Sequence, residues 1–116
     1  MDKYESIKLN KTFRYLYAKG ESFVAPAVVV YLKPNTFKKQ RLGITSGKKI
    51  GKAVQRNRAR RIIRVAYRTL LPELDGYYDM IIVARTRCVY CSSDRVTNQL
   101  RECFRRAKIL KDETCN

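Results

Sequence analysis

Residues 41–71 read RLGITSGKKIGKAVQRNRARRIIRVAYRTLL, and this stretch decides the fold. Turned at about 100° per residue from position 52, Ala59, Ile62, Ile63, Ala66, Tyr67 and Leu70 fall on one side. Arg56, Asn57, Arg60, Arg61, Arg64 and Arg68 fall on the other, with Arg58 at the edge. The pattern predicts a helix over 52–71, stopped by Pro72, with one side available to a core and the other crowded with guanidinium groups. Arg56, Arg60, Arg64 and Arg68 repeat at i, i+4, which destabilises an isolated helix. Solvated charged faces normally mix signs, yet no Asp or Glu occurs between Lys38 and Pro72. Such a face calls for an external polyanion. Arginine pairs bidentately with phosphate and stacks on bases, which favours nucleic acid. An anionic membrane surface fits less well, because the apolar side of the helix carries core-type residues and no interfacial Trp or Phe.

Outward from this helix, the chain alternates in a readable way. Asn10 is placed to cap a helix reaching Lys19, with Phe13, Leu16 and Tyr17 at helical spacing and Gly20 as a natural C′ residue. From 22 to 32 the residues are β-branched or aromatic and broken by Pro26, predicting a short strand and then a stronger one over 28–33. Pro34 and Asn35 begin a turn, 38–41 forms a basic loop, 42–45 reads as a strand, and 46–51 reads as a loop. Downstream, Asp75-Gly76 makes a turn, and the apolar run 80–84 suits a central strand buried on both sides. Ser92, Ser93 or Asp94 can cap a last helix with Val96, Leu100, Cys103, Phe104, Ala107 and Leu110 in one stripe. The order is helix, three strands, helix, strand, helix. It predicts one α+β domain over 1–116, with a mixed sheet covered by helices.

The whole chain of 116 residues carries 26 Lys and Arg against 10 Asp and Glu, a formal charge of +16. Hydrophobic residues make up 45%, enough for a core and too many for a disordered basic tail. The longest apolar run, Ala27 to Leu32, is far short of the roughly 20 residues that cross a bilayer, and the charged start is not a signal region. The expected location is therefore the cytosol, with no membrane partner. With no histidine, Cys-His and Ser-His nucleophile pairs and two-His metal sites are excluded, and no catalytic or metal-ligating residue is assigned to the chain. Cys88 and Cys91 have C-x-x-C spacing, but Cys103 and Cys115 do not form a second pair, so reduced structural thiols are preferred to zinc or redox chemistry.

Aromatic residues refine the partner. Phe13 and Tyr17 stand one turn apart, and strand alternation puts Tyr31 on the opposite side from Val28, Val30 and Leu32, alongside Val29 and Lys33. These rings either flank a groove that stacks unpaired bases or simply pack in a core. No helix-turn-helix, finger or basic-zipper pattern is present, which favours RNA over duplex DNA. Two classes remain open on these grounds: a subunit of an RNA-processing enzyme and a structural RNA-binding protein such as a ribosomal component.

The stretch from Arg41 to Arg64 also resembles the protein subunit of bacterial ribonuclease P, through the motif K-K-x-G-x-A-V-x-R-N-R-x-(K/R)-R-x-x-R, matched throughout. The resemblance extends from Asn10 to Phe13 and Lys19-Gly20, through the Val-Val-Tyr31 strand, to 79–85 and the last helix. It implies an αβββαβα fold with a left-handed βαβ crossover through the arginine-rich helix. It further implies a catalytic RNA partner that cuts the 5′ leader from precursor tRNA with magnesium bound mainly by that RNA. The protein would then bind catalytic RNA and leader and raise substrate and magnesium affinity. Carried over position by position, Lys48, Lys49, Lys52, Arg56, Asn57, Arg58, Arg60, Arg61 and Arg64 would face the catalytic RNA, joined by Arg68 from the helical pattern. Phe13, Tyr17 and Tyr31 match a cleft for the single-stranded leader. Gly47, just before the motif, departs from the family pattern, where a small β-branched or apolar residue is expected.

Overall fold

A computed structural model describes residues 4–111. Its elements are β1 (Glu5–Ser6), α1 (Asn10–Lys19), β2 (Glu21–Val24), β3 (Val28–Pro34), β4 (Arg41–Thr45), α2 (Ala53–Leu70), β5 (Tyr78–Ala84) and α3 (Ser93–Ala107). One five-stranded mixed sheet runs in the order β1-β4-β5-β3-β2. β5 lies in its centre, antiparallel to β3 and parallel to β4, so the connection from β4 through α2 to β5 is a βαβ crossover. The apolar run 80–84 fills that central place, with Met80, Ile81 and Ile82 completely buried.

The sheet separates two cores of unequal size. On one side, the predicted apolar face of α2 is buried residue for residue, and Val96, Leu100, Cys103 and Phe104 of α3 pack with it against Val28, Val30, Leu32, Met80 and Ile82. On the other side, α1 is the one helix among the described residues that covers the sheet, through Leu16 against Ile7 and Ile81 with Phe13, Tyr31 and Val83 packed at the edge. α1 is short, so the described residues leave much of that second side open.

Several local expectations are corrected. Leu9, not Asn10, holds the N-cap of α1, with no side-chain bond; its carbonyl accepts from Thr12 and Phe13 N–H at 3.1 and 3.2 Å, and Asn10 is the first helical residue. The reason is tertiary: buried Ile7, following the β1–β4 pairing, fixes where the chain turns into the helix. Gly20 is no left-handed C′ residue, since its φ is −78°; it is needed because a Cβ would come within 2.7 Å of the Leu16 carbonyl oxygen and 3.0 Å of that of Leu32. The loop 46–51 contains a 3₁₀ turn, Lys48–Ile50. Strand β1 escapes the sequence reading because two exposed residues carry no alternation. Of the three candidate caps, Ser92 is the one used, accepting from the Arg95 N–H at 3.2 Å. Leu110 lies past the end of α3 and pairs with Leu74 as a bridge, because Lys108 turns left-handed.

Candidate nucleic-acid interface

α2 begins where the 3₁₀ turn ends. Gly51 has φ of 137°, a conformation that favours glycine, and the Gln55 side chain occupies the space where a Cβ would stand. From there Gln55 Oε1 accepts the Lys52 N–H at 2.8 Å, tying off the helix start without an acidic residue. Lys48, Lys49 and Lys52 are exposed around this junction, and Asn57, Arg60, Arg61 and Arg68 continue the exposed surface along α2. Arg56 is half-buried and donates to the Gly51 carbonyl at 3.1 Å. Arg64 is half-buried against the sheet edge, where it and Arg60 border a 150 Å³ hollow with Tyr4, Ser6 and Lys8.

Among the described residues, none of these cations has a carboxylate within 4.0 Å; the four ion pairs join Lys39 to Glu5, Arg41 to Asp79, Arg101 to Glu73 and Arg105 to Glu102. The arginine face is therefore held outward by α2 packing, and no carboxylate of the described residues compensates it. Arg58 differs. Its Nε donates to the Val89 carbonyl at 3.2 Å, tying α2 to the turn Thr86–Tyr90, so one edge of the predicted set has a structural duty. Gly47 is extended, and a Cβ there would meet nothing within 4 Å, so this backbone would accept a residue with a side chain at 47.

The predicted aromatic residues do come together. Tyr17 meets Tyr31 edge-on, with ring centroids 4.8 Å apart and planes at 83°, and Phe13 stands 6.4 Å from Tyr17. Tyr31 pairs across the sheet with Ile81, which pairs with Gly43 on β4. Beside these rings lies a 410 Å³ hollow lined by Asn10, Phe13, Arg14, Tyr17 and Thr45. The rings divide between core and surface: Phe13 and Tyr31 are half-buried in the small core, while Tyr17 is 41% exposed, and Phe13 and Tyr17 border the hollow. Val29, Val83 and Thr45, one register step along, are half-buried on the same side and extend the floor. Val83, Thr45, Arg14, Ser6 and Lys8 were missed from sequence, since strand pairing and the β1 edge bring them in. Arginine face and aromatic hollow meet at β4, whose Gly43 lies between Phe13 and the hollow that Arg60 and Arg64 border.

Among the described residues no group of three His, Cys, Asp or Glu converges. Cys88 is fully buried, with its thiol pushed up to about 11 by desolvation and then by neighbouring Cys91. Its Sγ lies 3.9 Å from the Ala59 carbonyl, a packing role; Cys115 falls outside the described residues. No helix among the described residues is long and apolar enough to cross a membrane.

Comparison with known proteins adds an independent line. The family model described as Ribonuclease P matches residues 1–108. The ribonuclease P protein component of Oceanobacillus iheyensis is 39% identical over 94 residues, covering 78% of each chain. That of Symbiobacterium thermophilum is 35% identical over 114 residues, covering 97% of this chain and 99% of the relative. The solved Staphylococcus aureus RNase P protein superposes with a TM-score of 0.81 at 32% identity, covering 94% of this chain and all of that one.

Proposed function

Because this chain belongs to the ribonuclease P protein family, we propose that it is the RNA-binding subunit of a tRNA-processing ribonucleoprotein in which a partner RNA performs the cleavage. Its part is to hold the catalytic RNA on the α2 face and the single-stranded leader of precursor tRNA in the aromatic hollow. The observation that carries this reading is the uncompensated arginine face of α2 meeting that hollow at β4.

RNA folds against its own charge, and guanidinium groups placed where RNA strands converge lower that repulsion. Magnesium is then held by the RNA, and the chain raises its affinity only through the RNA that the cations help to compact. Rings that stack bases contribute about 1–3 kcal/mol per base regardless of sequence, which suits an enzyme acting on many leaders. A structural RNA-binding role, as in a ribosome, would use the arginine face but has no need of a single-strand hollow. The location that follows is the cytosol, where precursor tRNA is made.

Reconstitution tests the reading. The isolated chain should cut nothing, and adding the cognate RNA should restore leader removal at low magnesium. Tyr31→Ala should weaken binding of leader-bearing precursor more than of mature tRNA. Cleavage by the chain freed of RNA would refute the division of labour, and equal losses on both ligands would return Tyr31 to the core.

A further inference from the structure

We propose that a second groove, on the opposite flank of α1 from the aromatic hollow, is an additional site for single-stranded RNA, with an unpaired base on the rings of Tyr15 and Phe37 and neighbouring phosphates on Lys11 and Lys33. The proposal rests on the reading of this chain as an RNA-binding subunit and concerns residues that reading leaves unused. α1 crosses the open side of the sheet like a rail. Asn10, Phe13, Arg14 and Tyr17 border one hollow, while Lys11, Thr12 and Tyr15 border the other, which has a volume of about 520 Å³. That size lies within the roughly 300–1,000 Å³ of typical ligand clefts.

The floor of the groove is built by strand register. Lys33, Asp79 and Arg41 are paired across β3, β5 and β4, two residues along from the Tyr31, Ile81 and Gly43 row beneath α1. Asp79 is the carboxylate lining this groove, and it is spent on the scaffold: Oδ1 accepts from Asn35 Nδ2 at 2.9 Å and Oδ2 from Arg41 Nη1 at 3.4 Å. Asn35 in turn accepts the Phe37 N–H at 2.9 Å and donates to the Lys39 carbonyl at 3.0 Å, which pins the loop. The Arg41 guanidinium sits 5.1 Å from the centroid of the Phe37 ring. A ring that is 59% exposed is thus held in place by a network that could have let it hang free.

Charge points to the occupant. Tyr15, 50% exposed, faces the same groove, and among the described residues neither Lys11 nor Lys33 has a carboxylate within 4.0 Å, whereas neighbouring Lys39 is paired with Glu5 at 2.9 Å. Exposed rings flanked by uncompensated cations match a polyanion with flat bases, which single-stranded RNA is. An acidic peptide would use the lysines and leave the rings idle.

The test uses the full chain and a labelled oligouridylate long enough to span α1, with affinity read by anisotropy. Tyr15→Ala with Phe37→Ala should weaken binding about tenfold, and Phe37→Tyr should restore most of the loss. Lys11→Ala with Lys33→Ala should lower the slope of log affinity against log salt by about 0.7 per lysine. Thermal melts should show both pairs folded, and a photoreactive uridine should cross-link to Tyr15 or Phe37 in the unaltered chain, a readout independent of any variant. Ring variants that bind within about twofold of the parent while Tyr17→Ala with Tyr31→Ala lowers affinity would overturn this proposal and leave the leader hollow standing. Loss of affinity from neither ring pair would overturn both.

Discussion

The ring of Phe13 occupies the space that a side chain at Gly43 would need: a Cβ there would come within 2.7 Å of Phe13 Cζ and 2.9 Å of Cε1. One residue on α1 and one on β4, thirty positions apart, thus share a single volume, and the absence of a side chain on the strand is what lets the ring lie down on the sheet. Gly43→Ala should tilt the ring out of its seat, since the far end of a side chain yields more easily than backbone. The expected result is a loss of stability of about 1 kcal/mol, the low end of what overpacking costs. Binding of leader-bearing precursor should fall as it does in Phe13→Ala, while mature tRNA binds as before. A cleft unaffected by Gly43→Ala would show that the ring position is immaterial to the leader.

Arg64→Ala and Arg58→Ala should separate recognition from architecture within one helix. Arg64 has no carboxylate within 4.0 Å among the described residues, so its loss should weaken RNA assembly and lower the salt slope by roughly 0.7–0.9 per phosphate contact, with an unchanged or slightly raised melting temperature. Arg58 holds the Val89 carbonyl, and its removal should cost about 1 kcal/mol of stability in denaturant titrations. A large stability loss from Arg64→Ala would mean that its face is structural.

Multivalent anions should stabilise the free protein. With a charge of +16 and an arginine face that repels itself, the folded chain gains from any anion that binds it better than it binds the unfolded state. Phosphate or sulfate at millimolar concentration should raise the melting temperature more than chloride at equal ionic strength. Identical melting temperatures in the two salts would count against localised anion sites on the folded surface.

Stability should decline in alkali through Cys88. Burial lifts its thiol from 9.0 to about 11, so the unfolded chain releases this proton first. Between about pH 9 and pH 11 the folded state binds more protons than the unfolded state, and the stability gained from the neutral buried thiol drains away as pH rises; below pH 9 this contribution is constant. Burial raises the Tyr67 hydroxyl as well and continues the decline at higher pH. Urea midpoints for Cys88→Ala should fall less steeply across that window than those of the parent.

The two sides of α2 are legible in the residue order, because a helix's periodicity is local: every residue read as apolar there is buried and the arginines lie outward, Arg56 and Arg64 only half-buried. The alternation of β3 is legible in the same way, since side chains on a strand reverse at each residue, and so is the central place of 80–84, from its unbroken apolar run. Tertiary contacts set the rest: that Leu9 rather than Asn10 caps α1, that Arg58 turns to a carbonyl 31 residues away, that Phe13 lies over Gly43, and that Phe37 is pinned beside Tyr15's groove. Each of those depends on strand register and helix packing between segments far apart in the chain. A local pattern can show which side of an element turns inward, but not which residue of another element will meet it.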